Sequence, residues 1–237
     1  VNQRYIDFLA KLSIDNAHPG GHDLTEKVIA ASHLEPGERV LDVGCGTGAT
    51  ACYLAENTST QVTGLDFHPK MVKQASERAK NAKASFTVLQ GSAEKIPFEM
   101  ESFDWVISES VTAFTQIAQS IPEYYRVLRT GGKLIAIEMT IEHVLPEEDA
   151  RFICDLYGVS GLYTEQDWLT LLKKAGFSTV EAFTDKEFET EAVAPVGPAF
   201  QIDGALDRDA IDIWLAHLMT MQTYQDVLSY RIYRAIK

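Results

Sequence analysis

Val40-Leu41-Asp42-Val43-Gly44-Cys45-Gly46-Thr47-Gly48 is the stretch whose reading decides the fold. An apolar run of the kind buried in a parallel sheet passes straight into three glycines spaced G-x-G-x-G, and Ala49 to Glu56 then reads as a helix. Glycines in such a loop let a ligand approach the backbone with no Cβ in the way, and the following helix start offers unpaired N–H groups. Any tight strand-to-helix turn is often glycine-rich, so the loop acquires meaning only from its surroundings. Its spacing is not the G-x-G-x-x-G of a pyrophosphate-binding dinucleotide site, and Asp42 suits a ligand carrying an amine better than one carrying phosphates.

Outward from that loop, short apolar runs alternate with amphipathic segments, the pattern of βαβ units and an α/β fold with a mostly parallel sheet. Strands are expected near 39–43, 61–65, 85–89, 103–108 and 133–139. Between them lie helices from Pro69 to Lys83 and from Ile117 to Leu128, the second stopped by Gly131-Gly132. Upstream, Tyr5, Phe8, Leu9 and Leu12 form a helical stripe, Asn16 to Gly21 is rich in breakers, and a short helix runs from about Asp23 to Ser32. Downstream, Pro146 to Tyr157 and Thr164 to Ala175 read as helices, and Ser178 to Phe183 as a strand. An insertion follows, with the loop-like A-V-A-P-V-G-P of 192–198 and a helix from Asp207 to about Tyr224; Tyr230 to Ile236 then alternates as a last strand.

The composition narrows the partners. Of 237 residues, 46% are hydrophobic and 23% charged, so a packed core is expected, and the length suits a single domain. Lys+Arg 21 against Asp+Glu 34 leaves a formal charge of -13, whose field repels phosphate backbones and anionic lipid heads. We therefore expect no nucleic acid and no membrane partner. Cys45, Cys52 and Cys154 contain no C-x-x-C pair, which fits a reducing compartment and provides no zinc site. With no run long enough to span a bilayer and no signal-peptide pattern, the expected location is cytoplasmic.

Two further motifs point to a ligand. In Val62-Thr63-Gly64-Leu65-Asp66-Phe67, Asp66 ends the second strand, where an acidic residue accepts both hydroxyls of a ribose; its alternative role is N-cap of the helix starting near Pro69. G-S-A-E-K-I-P-F-E-M-E-S-F-D-W-V-I-S, residues 91–108, reads alone as a turn and a strand start. In order with the first two motifs, and with L-R-T-G-G-K-L-I-A-I-E at 128–138 and Y-T-E-Q-D-W-L-T-L-L-K-K-A-G-F at 163–177, it resembles the class I S-adenosylmethionine-dependent methyltransferases. The likeness is to the group that includes the ubiquinone and menaquinone biosynthesis methyltransferases, and it covers about 39–185.

The resemblance implies a Rossmann-like seven-stranded sheet in the order 3-2-1-4-5-7-6 with the last strand antiparallel, and S-adenosylmethionine as cofactor. We expect one domain over 1–237, with a helical lid at 1–32, a cofactor-binding core at 39–140 and substrate-side elaborations at 141–237 that carry a helical insertion at 186–228. Gly44, Cys45, Gly46 and Gly48 would cradle the methionine part with Asp42 near its amine, and Asp66 would hold the ribose. Phe67 and Met71 would pack on the adenine, Ala93 and Glu94 would lie at its edge, and Ser108 would pass close to the methionine. The family often has Asp where this chain has Ser92; a hydroxyl still accepts a hydrogen bond from the adenine amino group, so weaker adenine selectivity is expected.

Ser108-Glu109-Ser110-Val111 stands where enzymes acting on adenine or amide nitrogen carry Asn- or Asp-Pro-Pro-aromatic. No cysteine follows a proline, as a cytosine C5 nucleophile would, and Asp15-Asn16 lies before the core, so no metal is expected. A small-molecule methyl acceptor remains. The alternatives are a sensor or non-catalytic subunit that keeps the cofactor site, and a nicotinamide-dependent oxidoreductase, which the glycine spacing disfavours. Should the acceptor need a base, His18, His22, His143 and Glu109 are the candidates, against the plainer roles of structural histidines and a helix cap. Residues 1–21 are expected to close over the cofactor, hinged at His18-Pro19-Gly20-Gly21, with Tyr5 and His18 reaching its methionine end; a helix docked permanently outside the core is the alternative. Trp214, His217, Leu218 and Met221 share a helical face read first as core packing, and Cys45 is read as packing rather than reactive.

Overall fold

A computed structural model describes residues 3–188 and 207–237. The strands are β1 Arg39–Val43, β2 Gln61–Asp66, β3 Thr87–Gln90, β4 Phe103–Glu109, β5 Leu128–Ile141, β6 Thr179–Phe183 and β7 Leu228–Ile236. The helices are α1 Arg4–Leu12, α2 Gly21–Ser32, α3 Ala49–Asn57, α4 Pro69–Asn81, α5 Ile117–Val127, α6 Glu147–Tyr157, α7 Glu165–Lys174 and α8 Arg208–Thr223. The strands form one sheet in the order β3-β2-β1-β4-β5-β7-β6, with β7 antiparallel to both neighbours and the other pairs parallel. This is the order implied by the resemblance. The A-V-A-P-V-G-P segment of the insertion lies outside the described residues.

Period-two alternation along the central strands divides the core into two layers. Leu41, Val106, Leu134 and Ala136 join α5, α6 and α7 through Ile121, Ile153 and Trp168. Val40, Trp105, Ile107, Ile135 and Ile137 join α2 and α3 through Val28, Ile29 and Leu54 on the other face. A third, smaller cluster lies apart: Phe8 and Leu12 of α1 pack with Ala210 and Ile213 of α8.

One boundary differs from expectation. Gly131-Gly132 does not stop α5, which has already ended at Val127; both glycines lie within β5. Gly131 N–H donates to Lys237 O at 2.9 Å and Lys237 N–H to Gly132 O at 3.0 Å, so the end of the chain extends the ladder backwards and turns a loop into strand.

Candidate functional site

A cavity of about 420 Å³ opens beyond the carboxyl ends of β1, β2 and β4, where the strand order reverses. That switch point is where open α/β sheets take ligands. Gly44 has φ 67, and a Cβ added to it would lie 2.2 Å from Val111 Cγ2, so only glycine lets the turn after β4 close on the loop after β1. Gly44, Cys45 and Gly46 line the cavity. Gly48 does not: it starts α3, and an added Cβ would meet Ala75 of α4 at 3.0 Å, so its role is helix packing. Burial pushes the Cys45 thiol up, which keeps it unreactive.

Asp42 lines the cavity and is only 2% exposed, and its Oδ2 has no hydrogen-bond partner. Burial pushes its carboxyl well above the ordinary range, helped by the nearby charges of Glu109 and Asp66. An orphaned carboxylate oxygen on a cavity wall is costly alone and fits a cationic donor brought by a ligand. Asp66 is also buried, but satisfied: Oδ2 accepts Gly46 N–H at 2.9 Å and Oδ1 accepts His68 N–H at 2.8 Å. Burial raises its carboxyl, partly offset by those two donors. The N-cap of α4 is His68, whose ring accepts from Lys70 N–H, so Asp66 does not cap that helix.

At the other end of the cavity stand Phe67, Met71, Ser92, Ala93 and Glu94. Ser92 Oγ accepts from Glu94 N–H at 3.1 Å, and Glu94 Oε1 accepts from Gln116 N–H at 2.7 Å.

Glu109 and His18, far apart in sequence, meet on the cavity wall with 10% and 2% side-chain exposure and 3.5 Å between Oε1 and Nε2. Thr25 Oγ1 donates to Glu109 Oε1 and Thr50 Oγ1 to Oε2, each at 2.6 Å, and Asn16 Nδ2 donates to Thr50 Oγ1 at 3.0 Å. His18 Nδ1 lies 2.9 Å from Pro19 O and Nε2 3.0 Å from Thr25 Oγ1. Both ring nitrogens of His18 are thus engaged.

Four sequence candidates lie elsewhere. His143 sits exposed on the turn after β5 and does not line the cavity, because pairing with β7 carries β5 to Ile141 before the chain turns. Ser108 is fully buried below the cavity, bonded to Thr112 Oγ1 at 3.0 Å and donating to Glu138 Oε1 at 3.3 Å. Tyr5 does not line the cavity but stands behind its wall: its ring stacks on the lining residue Phe114 at 6.1 Å and meets Tyr157 edge-on at 4.9 Å. His22, on α2, pairs with Glu26 at the surface. From this segment the residues that do line the cavity are Gln3, at the N-cap of α1, and Ile6 and Leu9 of α1. The expected packing face of α8 divides, with Trp214 and His217 half-buried while Leu218 and Met221 are 51% and 42% exposed.

The sequence reading missed Thr25 and Thr50, which hold Glu109, and the wall formed by Val111 and Phe114. It also missed Glu138, fully buried in β5 and accepting Thr112 N–H at 3.0 Å and Ala113 N–H at 3.3 Å. Burial raises its carboxyl to about 7. These donors fix the 3-10 turn over Thr112–Phe114 and, with it, the cavity wall.

Sheet order, switch-point cavity and glycine loop together define a Rossmann-like methyltransferase fold. The sequence profile of a family described as "Methyltransferase domain" matches residues 41–136. An uncharacterized methyltransferase of Bacillus subtilis, YodH, is 34% identical over 99% of both chains, and methyltransferase GfsG of Streptomyces halstedii is 30% identical over 80% of this chain and 70% of its own. Among solved structures, phosphoethanolamine N-methyltransferase 2 of Haemonchus contortus with S-adenosyl-L-methionine superposes with a TM-score of 0.77 at 21% identity, covering 99% of this chain. This chain spans 56% of that enzyme's length. The chain belongs to the class I S-adenosylmethionine-dependent methyltransferases.

Proposed function

We propose that the protein methylates a small, partly apolar acceptor by in-line displacement, with the cofactor lying along the described cavity. The observation that carries the reading is Asp42 Oδ2, a buried, unpartnered acceptor on the cavity wall that matches the ammonium of the cofactor's methionine part. Gly44 and Gly46 give that part a backbone-lined cradle, and Asp66 keeps one lone pair on each oxygen for ribose hydroxyls. Phe67 and Met71 provide apolar surface for the adenine, with Ala93 and Glu94 at its edge. The Ser92 hydroxyl, already accepting from Glu94 N–H, has one lone pair left for the adenine amino group.

When bound, S-adenosylmethionine supplies a sulfonium-activated methyl group that passes to the acceptor's lone pair as the S–C bond breaks and its electrons return to sulfur. The protein's task is then alignment and exclusion of water. Gln3 at the N-cap of α1, with Ile6 and Leu9 within it, lines the cavity, which supports the N-terminal segment as a lid. Where the acceptor nucleophile carries a proton at working pH, Glu109 is placed to take it, with His18 beside it as electrostatic partner. His143 has no part in this scheme. Thermal denaturation with S-adenosylhomocysteine or NADH tests the reading: only the nucleoside thioether should raise Tm, and equal shifts would overturn it.

A further inference from the structure

The charge balance of the cavity bears on the acceptor itself. Four carboxylates line it, those of Asp42, Asp66, Glu94 and Glu109, and among the described residues no Lys or Arg does. The two lining histidines are committed, His18 to Glu109 and Thr25, and His68 to Asp7 at 3.4 Å and to Lys70 N–H. On the lid side, Arg4 pairs with Asp209, and Lys11 Nζ lies 2.8 Å from Asp207 Oδ2, both pairs exposed at the surface. The N–H groups of the glycine loop that could serve an anion are largely taken: Gly44 and Cys45 donate to Leu65 O, Gly46 to Asp66 Oδ2 and Gly48 to Cys45 O. The remaining stretch, 189–206, reads E-T-E-A-V-A-P-V-G-P-A-F-Q-I-D-G-A-L and contains no Lys, Arg or His, so it can bring no cationic side chain to the cavity.

A phosphate, sulfate or carboxylate held in a cavity requires paired cations or free N–H groups, because an uncompensated buried anion is strongly penalised. Here the fixed charges have the opposite sign. Moving a methyl group from a sulfonium to a neutral nucleophile shifts positive charge from sulfur toward the acceptor, and surrounding carboxylates stabilise that charge wherever it sits. We infer that the acceptor is uncharged or cationic around its reacting atom and bears no anionic group there, which sets this cavity apart from the phosphoethanolamine named for several relatives. The inference rests on the methyl-transfer reading above.

Cofactor analogues test it without knowledge of the acceptor, because they place a chosen charge at the position of the transferred methyl. Calorimetry on the full chain would compare S-adenosylhomocysteine with sinefungin, which adds an ammonium there. It would also compare S-adenosylmethionine with its S-carboxymethyl analogue, using the S-allyl analogue, whose allyl group adds no charge, as the control for size. We expect sinefungin to bind at least threefold more tightly than S-adenosylhomocysteine, and the carboxymethyl analogue at least tenfold more weakly than the allyl one. Equal or tighter binding of the carboxymethyl analogue, or turnover of phosphoethanolamine above background, would overturn the inference. Failure of S-adenosylhomocysteine itself to bind would instead overturn the cofactor reading on which it rests.

Discussion

Replacing Asp42 with Asn removes a charge while keeping the shape of the side chain, so it isolates what that carboxylate does. The group is 2% exposed and its Oδ2 is unpartnered, so in the free protein it contributes a desolvation cost with little return. A hydrogen bond between it and an ammonium would be charge-assisted. At about 1.5–3 kcal/mol for such a bond and about 1.4 kcal/mol per tenfold in Kd, the variant should bind S-adenosylhomocysteine ~10- to 150-fold more weakly. Its Tm should hold or rise. Burial and neighbouring carboxylates raise the Asp42 carboxyl, so the folded state holds this proton more tightly than the unfolded chain. Its contribution to stability is complete below the unfolded pKa and lost as pH rises through the folded one, so the variant's relative gain should be greater at pH 8 than at pH 5. Affinity for S-adenosylhomocysteine in the wild type should move the other way, strengthening as Asp42 ionises. Calorimetry and thermal denaturation read both quantities, and a folded Asn variant with wild-type affinity would refute the assignment of Asp42 to the amine.

Asp66→Ala leaves the N–H groups of Gly46 and His68 without their acceptor, so it should lower stability by about 1–2 kcal/mol as well as weaken S-adenosylhomocysteine, read as a Tm drop and an affinity loss. Glu138 titrates near 7 in the folded state, above its ordinary 4.5, so its ionised form costs about 3 kcal/mol above pH 7 and that cost disappears as pH falls toward 4.5. Glu138→Gln should accordingly flatten the decline of Tm between pH 5 and pH 8, and an unchanged slope would remove Glu138 as its source. Removing residues 1–12 deletes α1 while keeping Asp15, Asn16 and His18; circular dichroism should show a folded sheet, while calorimetry shows at least tenfold weaker S-adenosylhomocysteine. A truncated chain that binds as tightly as the full one would return α1 to a helix merely docked on the core.

The glycine loop and the acidic ends of the first two strands were legible in the sequence because each depends on local chain chemistry, an apolar strand, a turn that needs positive φ and a helix start, whereas the sheet order came only through the family resemblance that those motifs carry. What sequence could not reveal depends on neighbours distant along the chain. Tyr5, Phe8, Leu9 and Leu12 marked the apolar stripe of α1. The rotation that puts Ile6 and Leu9, and not Tyr5, on the cavity is set by Ala210 and Ile213 of α8. Glu138 shares the core face of β5 with Leu134 and Ala136, and nothing local in the sequence announces a partner for a carboxyl there. The backbone N–H groups of Thr112 and Ala113 make it an interior acceptor. His143 was placed near the site by its position after the fifth strand, and the antiparallel pairing of β5 with β7 moves that turn away. His18 and Glu109 were recognised, but the threonines that hold the pair, Thr25 on both residues and Thr50 on Glu109, come from two other helices and carry no motif.

A crystal structure with S-adenosylhomocysteine puts the proposed site to the most direct test. We expect the ligand's ammonium within hydrogen-bonding distance of Asp42 Oδ2, its ribose hydroxyls on Asp66, its adenine against Phe67 and Met71, and open space beside the sulfur bounded by Ile6, Val111 and Phe114. A ligand bound with Asp42 still unpartnered, or with no room for an acceptor at the sulfur, would contradict methyl transfer to a small molecule at this site.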